Sequence, residues 1–256
     1  MFHRATMVCL PGLHGGLAQF IPVTARLKGN WRIADATVAL RRNESIPFAA
    51  KDLMETTLKA TKEVILLGHS YGGMVALEVA KQLLEGKKST RLKGCVLLST
   101  TASRRSKDLP YAIAERRDNV LKLGLQAELD MTFDWGIDKS VQGDLRAFLR
   151  ASRNIHANDA GPRVFCKQCD AVDARPDQHA TLKLLAAADI PLLLLHGAND
   201  LIVPVSEALK SQETLKSSGG NFDFTVLEHT GHAPHQEKKQ HVTNLIQAWL
   251  STIDLF

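Results

Sequence analysis

Residues 64–80 read VILLGHSYGGMVALEVA and place one serine, Ser70, between an apolar run and a helical pattern. The apolar residues 64–67 predict a buried strand, and residues 74–80 predict a helix. A tight turn must join the two, and Gly68 and Gly72 favour it because a Cβ at either flank would obstruct the close backbone approach. Such a turn also strains the φ and ψ angles of the serine. The stretch therefore predicts an α/β fold in which Ser70 is a nucleophile whose hydroxyl stands clear of the sheet.

Apolar runs and helical patterns alternate on both sides of this turn, which is typical of a parallel sheet covered by helices on both faces. We expect a doubly wound, mostly parallel sheet of six strands. The predicted strands are Thr6–Leu10, Trp31–Thr37, Glu63–Leu67, Leu92–Ser99, Leu192–Leu195 and Phe222–Leu227. The predicted helices are Leu17–Leu27, Ser45–Ala60, Tyr71–Glu85, Pro204–Lys216 and Gln236–Ile253.

The alternation stops between residues 101 and 187, where helical periodicity continues without a strand for longer than an ordinary connection. We predict that 101–187 is an inserted helical cap and that 1–100 and 188–256 form the core. Apolar cap residues can line an acyl pocket or pack the cap helices against each other. The candidates are Leu121, Leu125, Phe133, Trp135, Phe148 and Leu149. We take Phe133 and Trp135, together with Leu17 of the core, as candidate substrate-binding residues.

The composition fits one large α/β domain, because 45% of the 256 residues are hydrophobic. No segment approaches the roughly 18 unbroken apolar residues of a membrane span, and the first residues do not resemble a signal peptide. We therefore expect a soluble, cytoplasmic protein. The formal net charge is +5, but the basic residues are dispersed without interleaved aromatic residues, which argues against nucleic acid as a partner. A basic rim suits an acidic partner such as an acyl carrier protein.

The four cysteines predict neither a disulfide framework nor a metal site. Cys9 and Cys95 fall inside apolar runs, where cysteine serves as a small apolar filler. Cys166 and Cys169 have the spacing of a redox motif, but they lie in a helical pattern, and no second pair offers zinc ligands. We expect no cofactor and no metal.

A serine hydroxyl is a weak nucleophile and needs a base, a group that orients the base, and donors for the oxyanion. His232 follows the last predicted strand directly after a glycine, and Asp200 follows the preceding strand. Because catalytic groups of parallel sheets gather at the carboxyl ends of strands, these residues can converge on Ser70. Among the neighbouring histidines, we expect His235 to be a surface or capping residue. His14, His69 and His196 occupy turns and are expected to shape them.

Four motifs in this order resemble the α/β-hydrolase family. They are Leu10–Gly16, Gly68–Gly72, His196–Asp200 and Gly231–His232. The resemblance implies that the backbone N–H groups of Tyr71 and Gly16, with Leu17 as the alternative to Gly16, hold the oxyanion. The opening Leu10–Leu13 is also similar to small bacterial esterases such as the pimeloyl-ACP methyl ester esterases. The leading hairpin of many family members is absent from the sequence pattern, which starts at the strand before the oxyanion turn.

The predicted function is cofactor-free hydrolysis of a carboxylic ester through an acyl-enzyme on Ser70. The nearest alternative is hydrolysis of an acyl thioester on an acyl carrier protein or CoA, which uses the same three side chains. Non-hydrolytic lyase or perhydrolase chemistry and a catalytically silent ligand receptor are further alternatives. Ala233 stands where cyanohydrin lyases of this fold often carry a lysine. Epoxide hydrolases and haloalkane dehalogenases are disfavoured because those enzymes use aspartate at the position of Ser70.

Overall fold

Six parallel strands form one sheet, in the order β2-β1-β3-β4-β5-β6, in the computed structural model, which describes residues 5–29, 31–86, 90–105 and 113–253. The strands are β1 Thr6–Leu10, β2 Arg32–Asp35, β3 Glu63–His69, β4 Arg91–Leu98, β5 Leu192–Gly197 and β6 Phe222–Leu227. The predicted six-stranded parallel sheet is therefore confirmed. Of the predicted domain ranges, residues 1–4, 30, 87–89, 106–112 and 254–256 lie outside the described part.

The central strands are buried on both faces, and alternate residues of each strand enter two separate apolar clusters. Val64 and Leu66 of β3 join the cluster on one face, whereas Ile65 and Leu67 join the other. This double burial explains why β3 reads as a continuous apolar run instead of alternating with polar residues.

Eleven α-helices are present among the described residues, and a short 3₁₀ helix, Leu17–Gln19, precedes the first. They are α1 Ile21–Thr24, α2 Thr37–Arg42, α3 Ile46–Glu55, α4 Tyr71–Glu85, α5 Ile113–Leu123, α6 Leu125–Gly136, α7 Gly143–Asp173, α8 His179–Ala187, α9 Val205–Ser217, α10 Pro234–Glu237 and α11 Lys239–Thr252. Helices α3, α4 and α8 cover one face of the sheet, and α1 and α11 cover the other.

The region between β1 and α3 differs from its prediction in two ways. A single helix over Leu17–Leu27 is wrong, because a 3₁₀ turn and the four-residue α1 replace it. The predicted strand Trp31–Thr37 is too long, because β2 ends at Asp35 and α2 follows. The Asp35 carboxylate accepts hydrogen bonds from the backbone N–H and the hydroxyl of Thr37, which turns the chain out of the sheet into α2.

Helices α5, α6 and α7 pack together beside the carboxyl ends of the strands, within the range predicted to be a cap, and below we call these helices and their connections the cap. Gly161, with a φ of 80°, and Pro162 interrupt the helical geometry of α7. Helix α8 packs against α4 and α9, next to the sheet. Within the described part of the chain, no helix has both the length and the apolar character needed to cross a membrane.

Candidate active site

Ser70 lies on the turn between β3 and α4 with a strained backbone, φ 51° and ψ −119°. Its N–H donates to the Leu98 carbonyl at 2.9 Å, and the Thr100 hydroxyl donates to the Ser70 carbonyl at 2.7 Å. A Cβ on Gly72 would lie 1.9 Å from the Leu10 carbonyl oxygen, so only glycine fits at this approach of α4 to β1. The fold thus holds Ser70 in a conformation that costs about 1–3 kcal/mol and is compensated by these contacts.

Asp200 and His232 form a hydrogen-bonded pair on the loops that follow β5 and β6. The His232 Nδ1–H donates to Asp200 Oδ2 at 2.7 Å, and the backbone N–H groups of Ile202 and Val203 donate to Asp200 Oδ1 at 2.9 Å. His196 Nε2 lies 3.4 Å from Asp200 Oδ2, and it also contacts the Val203 carbonyl at 2.8 Å. The carboxylate is therefore fixed by donors on both oxygens.

Burial and charge act in opposite directions on Asp200. Burial alone would raise the pKa of this carboxyl, but the adjacent His232 and the hydrogen bonds from His196 and His232 lower the pKa well below its usual range. Asp200 is thus ionised at neutral pH. In this state the carboxylate holds the His232 ring by the hydrogen bond to Nδ1 and can stabilise a positive charge on that ring.

The loop that carries His232 is held by His69, which was expected to shape a turn, and by Gly136 and Glu237, which the sequence analysis did not select. His69 Nε2 donates to the His232 carbonyl at 2.7 Å, and the His232 N–H donates to the Gly136 carbonyl of α6 at 2.8 Å. The buried Glu237 carboxylate accepts the backbone N–H groups of Gly231, Ala233 and Asp138 at 3.0–3.1 Å. These contacts bind the histidine loop both to its own following helix and to the cap.

His235 is fully buried, so its prediction as a surface or capping residue is wrong. Its ring stacks on Phe20 at 5.2 Å and packs against His69 at 4.5 Å. Burial, followed by the proximity of His232, lowers the pKa of His235 to about 3. Burial also lowers the pKa of His69 well below its usual range, so both rings are neutral at pH 7.

One cavity contains both Ser70 and His232 among its lining residues. Its walls are formed by Leu13 and His14 after β1 and, from the cap, by Arg116, Phe133 and Arg153. Of the candidate substrate-binding residues, Phe133 lines this cavity. The other two candidates, Leu17 and Trp135, do not line it. Leu17 packs against the apolar cluster on the α11 face of the sheet. Trp135 lies on α6, and its carbonyl accepts the Leu201 N–H. Leu149 also lines the cavity, whereas Phe148 and Leu121 are exposed.

In the turn after β1, Leu13 lies on the cavity wall with Ser70, whereas Gly16, which the motif implied, does not. A Cβ on Gly16 would meet His156 and Arg41, and Gly16 does not line the cavity, whereas Gly12 and Leu13 do. A Cβ on Gly12 would lie 3.5 Å from Ser70 Cβ. The neighbouring N–H groups of His14 and Gly15 already donate to Gln168 and Gly12. No acceptor for the Leu13 N–H is present among the described residues.

The cysteines and possible metal ligands offer no second centre in the part of the chain described. Cys9, Cys95, Cys166 and Cys169 are free thiols. Burial raises the pKa of Cys95 and Cys169 to about 12, so both remain protonated at neutral pH. No group of three or more His, Cys, Asp or Glu side chains is arranged to hold a metal ion there.

Comparison with known proteins confirms the resemblance that the motifs indicated. The model of the alpha/beta hydrolase family matches residues 3–242. The pimeloyl-acyl-carrier-protein methyl ester esterase of Xanthomonas oryzae pv. oryzae is 24% identical over 269 residues, which cover 98% of this chain and 97% of the relative. Among solved structures, a thermophilic esterase from Thermogutta terrifontis has a TM-score of 0.77 and 22% identity, and the match covers 96% of this chain and 89% of that one. An esterase from Exiguobacterium antarcticum has a TM-score of 0.77 and 18% identity, with coverage of 98% and 94%.

Proposed function

The chain belongs to the alpha/beta hydrolase family, and we propose that it hydrolyses carboxylic esters through an acyl-enzyme on Ser70. The observation that carries the proposal is the 2.7 Å bond from His232 Nδ1 to the ionised Asp200, because it leaves Nε2 as the basic nitrogen of a ring that lines the same cavity as Ser70. With Nδ1–H committed to Asp200, Nε2 is free to accept a proton.

The proposed reaction has two halves. In the first half, the Ser70 hydroxyl attacks the ester carbonyl carbon while His232 Nε2 takes the hydroxyl proton. His232 then gives this proton to the departing alcohol. In the second, a water loses a proton to His232 and attacks the acyl-enzyme, and the acid leaves as Ser70 regains its proton. Asp200 stabilises the imidazolium that forms in each half.

We propose the backbone N–H groups of Tyr71 and Leu13 as the oxyanion donors, with Leu13 in place of Gly16. Tyr71 is the first residue of α4, where backbone N–H groups have no partner within the helix. Leu13 lines the cavity beside Ser70. One such donor stabilises the transition state by about 2.7–4 kcal/mol.

Labelling by a fluorophosphonate probe and turnover of p-nitrophenyl esters test this proposal. Ser70→Ala is expected to abolish both. The matched control is Ser99→Ala, since Ser99 is a buried serine of positive φ at the end of the adjacent strand and does not line the cavity. A Ser70→Ala protein that still turned over esters like the control would refute the assignment.

The second candidate substrate is an acyl group on an acyl carrier protein or CoA, in the cytoplasm. It is supported by the name of the Xanthomonas relative, which refers to a methyl ester of a carrier-bound acyl chain, and by the formal charge of +5, which suits an acidic carrier. Comparing a methyl ester that is carrier-bound with the same ester free, and with the acyl-CoA thioester, separates the candidates. Cleavage of the methyl ester alone supports the esterase proposal, and release of the thiol supports the thioesterase.

A further inference from the structure

Two guanidinium groups line the cavity that contains Ser70 and His232, and no carboxylate is among the described residues that line it. Arg116 comes from α5 and Arg153 from α7, so two cap helices bring them together. Arg116 is buried, and Arg153 is partly exposed. The acidic side chain Glu128 accepts a hydrogen bond from Arg116 Nε at 2.6 Å, but it does not line the cavity. The positive charges of Arg116 and Arg153 are therefore accompanied by one hydrogen-bonded carboxylate, that of Glu128.

Neither arginine has used all of its hydrogen-bond donors. Arg153 donates to the Leu129 carbonyl at 3.0 Å and to the Thr132 hydroxyl at 2.5 Å, both of which are neutral acceptors. Arg116 donates to Glu128 and, at 3.4 Å, to the same Thr132 hydroxyl. A guanidinium carries five N–H donors, so each retains donors beyond these contacts. Because both guanidinium groups donate to the Thr132 hydroxyl, they lie next to each other.

A buried histidine adds a polar atom without a partner on the same wall. His14 lines the cavity, and its Nδ1 has no hydrogen-bond partner among the described residues although it is buried. The His14 ring stacks on Phe165 at 5.4 Å, and the Arg116 guanidinium lies 5.2 Å from the centre of the same Phe165 ring. An unpaired nitrogen of this kind is costly unless a ligand or water satisfies it.

Burial and the neighbouring arginines lower the pKa values of two groups on this wall. Burial, followed by the positive charge of Arg116, lowers the pKa of Arg153 to about 9. Burial and the charges of Arg153 and Arg116 also lower the pKa of His14 well below its usual range. Arg153 remains protonated at pH 7, so an anion that enters the cavity gains a charged, partly desolvated partner.

We propose that Arg116 and Arg153 bind a carboxylate carried by the substrate, so that the preferred esters are anionic, with the carboxylate at the end of the acyl or of the alcohol part. The inference rests on the proposed esterase function, since the carboxylate is bound in the cavity where Ser70 would attack. Planar guanidinium groups suit a carboxylate because they offer paired N–H donors.

The test compares esters that differ only in this charge. Monomethyl esters of C4–C8 dicarboxylic acids are paired with the analogues in which the far carboxylate is a carboxamide, and acetyl esters of hydroxy acids are paired with the acetyl esters of the corresponding hydroxy amides. The first set places the carboxylate on the acyl part and the second on the alcohol part. We expect kcat/KM to favour the carboxylate member of one set by about tenfold to a hundredfold, which is the range for a hydrogen bond between charged groups.

Arg153→Gln should bring the ratio of charged to neutral kcat/KM close to one, because it removes the guanidinium that has no carboxylate partner. Arg163→Gln is the control, since Arg163 is exposed on the same helix and does not line the cavity. Arg116→Gln leaves the buried Glu128 without its ion-pair partner, so it is the less informative variant. Binding of the same ester pairs to Ser70→Ala, with and without Arg153→Gln, measures the preference in the absence of turnover.

The outcomes separate the two proposals. Wild-type turnover without a preference for the carboxylate member in either set, or a preference that Arg153→Gln leaves unchanged, overturns the carboxylate site while the esterase proposal stands. Tighter binding of the carboxylate member to Ser70→Ala, lost in Arg153→Gln, supports the carboxylate site even if the wild-type protein hydrolyses none of the esters, a result that would overturn the esterase proposal alone.

Discussion

Asp200→Asn tests whether the carboxylate determines which nitrogen of His232 carries the proton. Asp200 Oδ1 accepts two backbone N–H groups, from Ile202 and Val203, whereas Oδ2 faces His232 Nδ1. An asparagine must place its carbonyl oxygen toward the two backbone donors, because its amide nitrogen cannot accept from them. The amide N–H₂ then points at His232 Nδ1, which must act as the acceptor. The proton moves to Nε2, and this nitrogen can no longer take the proton of Ser70.

We therefore expect kcat for a p-nitrophenyl ester to fall by about 10³–10⁴-fold, with KM nearly unchanged. This corresponds to about 4–5.5 kcal/mol in the activation free energy. Stopped assays at high enzyme concentration, together with a thermal melt, separate loss of catalysis from loss of folding. Asp223→Asn, on the exposed side of β6, is the matched control and should retain wild-type kcat. If Asp200→Asn were folded and kept kcat within tenfold of wild type, the tautomer argument would be refuted.

Three further substitutions follow from the packing of the site. Gly72→Ala should prevent folding or cost more than about 4 kcal/mol in unfolding free energy, because its Cβ would lie 1.9 Å from the Leu10 carbonyl oxygen; Gly16→Ala, whose nearest neighbour is at 3.6 Å, should melt like wild type. His235→Phe should reduce acid sensitivity. The pKa of His235 is about 3 in the folded state and has its ordinary value in the unfolded state, so the folded wild type binds fewer protons. Its unfolding free energy therefore falls by about 2 kcal/mol between pH 7 and pH 5. Denaturant titrations should show that the variant avoids this loss. Glu237→Gln should lower the unfolding free energy by about 1–3 kcal/mol and reduce kcat, because an amide cannot accept all three backbone N–H groups; an unchanged kcat would contradict its role in holding the histidine loop.

Most of the sheet was predictable because β1, β3, β4 and β5 contain apolar runs bounded by turns. Strand β6 and helix α4 begin and end where the sequence placed them, since glycines and polar residues mark both ends. The region before α3 was not predictable in the same way. Helix α2 is only six residues long, and its start depends on the Asp35 carboxylate capping Thr37, a local contact that outweighs the strand propensity of Val38.

In the candidate site too, features set by neighbouring residues could be predicted from the sequence, and features set by tertiary packing could not. The strained turn at Ser70 depends on the adjacent Gly68 and Gly72, so the sequence predicts it. The placement of Leu13 and of Arg153 is not, because both depend on how a loop and a cap helix sit over the sheet. A partly buried arginine in a cap helix has the same sequence pattern as an exposed one, since α7 carries both Arg153 and the exposed Arg163.

The cap helices and the histidine loop share one hydrogen-bond network, so the proposed function predicts that specificity and catalysis are linked. The Gly136 carbonyl, at the end of α6, accepts the His232 N–H, and Glu237 accepts N–H groups from both the cap residue Asp138 and the histidine loop. Phe133, one turn earlier on α6, lines the cavity. A shift of α6 that accommodates a larger substrate would therefore also move the backbone of His232. Since a misplacement of about 1 Å can cost a hundredfold in rate, we expect substitutions along α6 to change kcat together with substrate preference.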